Sequence, residues 1–149
     1  MLVLGAALAM ALADDDEVKA LPNGAGKQAM VKVCLECHGA SHIRGQRLSQ
    51  EVWTDKVYDM VDRGAKGTDE EIAAVVAYLT KNFGKDSKVV VNTAPLIELH
   101  SVLGFTVAES EAVAAYRKDH AAFAEWRDLL KVPGMDAARV EAARDLMAF

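Results

Sequence analysis

"LHSVLGFTVAESEA", residues 99–112, is followed later in the chain by "LLKVPGMDAARVEA", residues 129–142. Both read L-x-x-V-x-G-[F/M]-x-x-A-x-x-E-A, offset by 30 residues. A repeat of this kind is an architectural signal, because one supersecondary unit is being built twice. Each copy predicts a helix end, a tight turn at Gly104 or Gly134, and a new helix. Strand signals are nearly absent: only "KVVV", residues 88–91, is β-rich, and it is short. The fold class expected from this is all-α.

Working back from the repeat, "GKDSK" (residues 84–88) is a polar, glycine-containing break. It suggests a linker at 85–90, a first unit at 17–84 and a second at 91–149. Three helices are expected in the first unit: in "GKQAMVKVCLECHG" (26–39), in "SQEVWTDKVYDMVDRG" (49–64) and in "TDEEIAAVVAYLTKNFG" (68–84). The third opens on a capping box, Thr68 with Glu71. Ile72, Val75, Val76 and Leu79 follow at i, i+3, i+4, i+7 and define one buried stripe.

The chain has 149 residues, 52% of them apolar, and a formal net charge of −5. From Val89 onward there are six basic and nine acidic residues, net −3. That balance argues against a dedicated nucleic-acid binder, which normally shows a basic face. No apolar run reaches the about 18 residues of a membrane span, so none is expected in the mature chain. Residues 1–13, "MLVLGAALAMALA", read as the apolar part of a secretory signal with a small-x-small end, although the usual preceding basic residues are missing. An extracytoplasmic, periplasmic location is the expectation. The acidic run at 14–16 reads as a solvated terminus.

The only two cysteines lie three apart with a histidine directly after the second: Cys34, Cys37 and His38 form C-x-x-C-H. On a helix these positions share a face, so two sulfurs and one imidazole converge. This is the signature of c-type haem attachment, two thioethers to the porphyrin edge and the histidine on iron. A structural zinc site needs about four ligands, and no second pair exists at ligand spacing. A thioredoxin-like pair belongs beside a βαβ pattern, which is missing. A plain disulfide would leave the histidine without a role.

Through "VCLECHG" and "WTDKVYDMVDRGAKGTDEEIAAVVAYLTKNFG", residues 22–84 resemble a small class I-like monohaem cytochrome c, of the type associated with periplasmic quinoprotein dehydrogenases. The resemblance implies one covalent haem c. Cys34 and Cys37 would hold it, His38 would be the proximal ligand, and Met60 in "MVDRGA" the distal one. His/Met ligation raises the haem potential and suits electron transfer. Core packing is the alternative role for Met60. Met30, in the haem-bearing helix, and His42, four residues past His38, are weaker rivals as ligands. Trp53 and Tyr78 read as core or haem-edge packing. Arg44 and Arg47 are open between partners for haem propionates and a solvated loop.

Residues 91–149 resemble a tandem helix-hairpin-helix domain of the competence DNA-receptor type, through "VNTAPLIELHSVLGF" and "AVAAYRKDHAAFAEWRDLLKVPGM". The resemblance implies phosphate capping by hairpin N–H groups, normally at G-x-G. Here Thr106 and Asp136 stand at the second-glycine positions. With the acidic charge, that favours protein docking over DNA, even though Lys131, Arg139 and Arg144 could form a small basic patch. The expected function is a one-electron carrier or electron-transfer subunit, not an enzyme. Its partner would be a redox protein such as a quinoprotein dehydrogenase or a membrane electron-transfer complex. The rivals are a haem-containing DNA-binding or DNA-uptake protein and a peroxidase with an open sixth position.

Overall fold

Fifteen residues, Asp69–Phe83, form the longest of the described helices and organise the first half of the molecule. The computed structural model describes residues 15–149; the signal segment expected at 1–13 lies outside them. The helices in this half are α1 (Asp15–Lys19), α2 (Lys27–Cys34), α3 (Ser41–Arg44), α4 (Gln50–Asp62) and α5 (Asp69–Phe83). Both α2 and α4 pack on α5. The Thr68 capping box is formed: its side chain accepts from the Glu71 N–H, and the Glu71 carboxylate accepts from the Thr68 N–H. Ile72, Val75 and Leu79 are buried as the stripe expects, and Tyr78 and Phe83 join them. Val76 is only partly buried, on the flank of that core.

Trp53 and Tyr78 are both core residues, and each polar end finds a carbonyl. The Trp53 indole donates to the Phe83 carbonyl at 2.8 Å, and the Tyr78 hydroxyl to the Pro22 carbonyl at 2.7 Å. Gly26, at φ 86°, lets α2 start hard against α5. A Cβ there would stand 2.4 Å from the Ala74 carbonyl oxygen.

The repeat builds two hairpins. The first joins α6 (Leu96–Ser101) to α7 (Val107–Asp119); the second joins a 3₁₀ helix (Trp126–Lys131) to α8 (Ala137–Ala143). Gly104 and Gly134 turn them at φ 74° and 84°, left-handed backbone that suits glycine. Equivalent residues Leu99 and Leu129 are both fully buried. A short parallel pair closes this half, β1 (Val89–Val90) on β2 (Met147–Ala148). Val89 and Val90, expected within the 85–90 linker, therefore belong to the second half, and Val89 is 0% exposed. The chain end supplies the partner that makes "KVVV" a strand, and sequence distance hides that partner.

The buried residues fall into two clusters, one ending at Phe83 and the other beginning at Val89. The two halves meet through a polar clamp. Glu98 on α6 is buried and takes the Arg44 Nε at 2.7 Å and an Arg47 Nη at 3.3 Å. Arg44 also donates to the Ala20 carbonyl, and Arg47 to the Ser87 carbonyl.

Candidate functional site

The helix expected through residue 39 stops at Cys34. Its stripe of Met30, Val33 and Cys34 faces the core. Leu35 is 3% exposed, yet a continued helix would carry it off that stripe. The chain bends instead and buries Leu35 and Ala40. One turn survives beyond the helix: the N–H groups of Cys37 and His38 both approach the Cys34 carbonyl, at 3.5 and 3.3 Å. Cys34, Cys37 and His38 thus remain together, Cys34 as the last residue of α2 and the other two on the turn that follows.

Their settings differ. Cys34 is half-buried against the core, Cys37 and His38 are exposed, and both thiols are free. Burial pushes the Cys34 thiol up to about 11, so it is protonated at neutral pH. The turn is held from behind, where the Ala40 N–H donates to the Glu17 carboxylate at 3.0 Å. The His42 ring stands beside that of His38, centroids 5.2 Å apart. Two free thiols and one imidazole on a single open turn are the donor set that a thioether-linked haem requires. Among the described residues no cluster of three or more His, Cys, Asp or Glu side chains is arranged to hold a metal ion by itself.

Met60 lies on α4, seven residues past buried Trp53 and three past buried Val57. It sits at the open end of that stripe, half-buried, and is not among the residues packed on the core. Met30 is 0% exposed and fills the core. One of the two expectations for Arg44 and Arg47 fails. They are not in a solvated loop, and their guanidiniums are engaged by Glu98 and backbone carbonyls between the halves.

The second group of functional positions is at the hairpin turns. Thr106 and Asp136 N-cap α7 and α8; their side chains accept from the Glu109 and Arg139 N–H groups at 3.1 and 2.8 Å. Glu109, 5% exposed, links the two turns. Its carboxylate accepts the Thr106 N–H at 2.7 Å and the Asp136 N–H at 3.0 Å. Arg139 completes the arrangement with an ion pair at 3.0 Å. Burial pushes the Glu109 carboxyl up, but the bonds from Thr106, Asp136 and Arg139 outweigh it and hold the group below the usual carboxylate range.

One internal carboxylate therefore fills the position where turn N–H groups could meet an anion. The expected basic patch is also engaged, with Lys131 on Asp128 at 2.7 Å and Arg144 on Glu141 at 3.8 Å. Sequence reading missed Glu98 and Glu109. Thr106 and Glu109 do repeat the T-x-x-E capping signal seen at Thr68, which could have found one of Glu109's bonds. Nothing local marks its reach to Asp136, 27 residues on.

Residues 84–147 match the helix-hairpin-helix motif family. No curated protein and no solved structure matches the chain. None of the described helices is long and apolar enough to cross a membrane.

Proposed function

We propose that this protein is an exported c-type cytochrome, a one-electron carrier or electron-transfer subunit whose helix-hairpin-helix half docks protein. The observation that carries the reading is the turn at 34–38, which gathers two free thiols and an imidazole, Cys37 and His38 exposed and Cys34 half-buried. Cys34 and Cys37 would anchor the haem and His38 would bind its iron. Met60, outside the packed core, is the proposed distal ligand. When bound, the haem supplies a one-electron couple whose potential is raised by His/Met ligation. The chain's own contribution is placement: the Glu17 bond fixes the turn, and α5 fixes both helices that carry ligands.

The test is covalency and ligation. Haem colour should survive acid–acetone extraction, and the double variant Cys34→Ser/Cys37→Ser should lose haem stain on a denaturing gel. The oxidised protein should show the near-infrared sulfur-to-iron band, and Met60→Ala should remove it. Extractable colour would sink the attachment reading. A high-spin spectrum in the unmutated protein would favour a peroxidase.

Docking of protein rather than DNA is supported by Glu109, which already takes the turn N–H groups, and by the net charge of −3 from Val89 onward. Full-length protein should bind duplex DNA no more tightly than about 10⁻⁴ M at physiological salt. Micromolar, salt-sensitive binding lost in Arg139→Glu would establish the DNA reading instead.

A further inference from the structure

A cleft of about 250 Å³ opens where the two halves meet. Arg44, Arg47, Lys88 and Glu98 line it together with Phe83 and Ala94. Three cations thus face one carboxylate. The Arg44 and Arg47 side chains are only 10% and 8% exposed, and they share Glu98. All three nitrogens of Arg47 are engaged: it bonds Glu98 and the Ser87, Arg44 and Gln46 carbonyls, and lies 5.5 Å over the Phe83 ring. Arg44 differs. Its Nε takes Glu98 and one Nη takes the Ala20 carbonyl, leaving the second Nη without a protein partner among the described residues. Lys88 stands exposed at the cleft and makes no ion pair there. An excess of buried positive charge is costly unless an anion offsets it.

We propose that this cleft binds a small organic carboxylate. The free Nη of Arg44 can donate to a carboxylate oxygen, and Lys88 adds a second cation at the mouth. Val90, 47% exposed at the cleft, gives an apolar flank for a short carbon chain, which a bare inorganic anion would not use. A diffusible acid and a propionate of the protein's own haem carry the same chemistry. The second source rests on the cytochrome reading; the first does not.

The experiment follows the Arg44 Nε–H signal by NMR while succinate is added to the full-length protein as isolated. A saturable shift at millimolar succinate, weakened about tenfold by Lys88→Glu, is the result expected for a diffusible acid. Lys88 is exposed and outside the proposed haem ligands, so the variant should fold normally. If a haem propionate fills the cleft, succinate will not move the signal, and Lys88→Glu will instead lower the haem midpoint potential. No succinate response together with an unchanged potential would overturn the proposal. In a protein that carries no haem, absence of a succinate response alone would do so.

Discussion

The turn at residues 34–38 and the hairpin turns at 102–106 and 132–136 treat their polar groups in opposite ways. In the first, Cys37 and His38 project into solvent and neither thiol is bonded. In the hairpins, the side chains of Thr106, Asp136 and Glu109 have taken the available N–H groups, and Arg139 has closed the remaining charge. Both regions rest on comparable cores, so packing does not separate them. The difference lies in whether the polar groups find partners within the chain. A turn that leaves them open is equipped to take a ligand. A turn that has satisfied them internally is equipped to hold a shape, and through it a surface for another protein.

The largest expected effect tests the join between the two regions. Glu98→Ala would strand Arg44 and Arg47 at a buried interface and should cost about 3–5 kcal/mol in denaturant unfolding. A loss below about 1 kcal/mol would mean that water already screens the clamp. Next is the closed turn itself. Glu109→Ala removes a buried acceptor from two N–H groups and an ion pair, and should cost about 1–3 kcal/mol. If DNA affinity also rises into the micromolar range, the carboxylate had been masking a phosphate site, and the contrast between the turns would be one of regulation.

The same carboxylate gives a pH dependence. Its folded-state pKa is depressed, so its contribution to stability is present above the ordinary carboxylate range and lost as pH falls through the lower folded value. Unfolding midpoints compared between the unmutated protein and Glu109→Gln should converge as the solution is acidified from neutral. Parallel curves would place the acid sensitivity elsewhere. The smallest effect concerns the caps. Thr106→Ala and Asp136→Ala should each cost about 1 kcal/mol, as removal of a helix N-cap does. Because both residues also offer their N–H to Glu109, the double variant should depart from additivity.

Much was readable from local pattern. The repeat, its two glycine turns, the Thr68 capping box and the buried stripe on α5 are all set by residues within a few positions of one another, where helix and turn chemistry act. The C-x-x-C-H grouping was readable too, although the helix expected beneath it ends at Cys34 because Leu35 is drawn into the core. The missed positions are those whose partners are far away in sequence. Glu98 reaches back 54 residues to Arg44, Glu109 forward 27 to Asp136, and "KVVV" becomes a strand only against the chain end.

By itself, then, the sequence determined the capped helix α5, the twofold repeat and the set of residues offered at the 34–38 turn. Short-range hydrogen bonding and side-chain periodicity suffice for those. Only the tertiary structure decided which polar groups remain open. A carboxylate or guanidinium satisfies its bonds with whatever the fold brings within about 3 Å, and no local pattern records that distance.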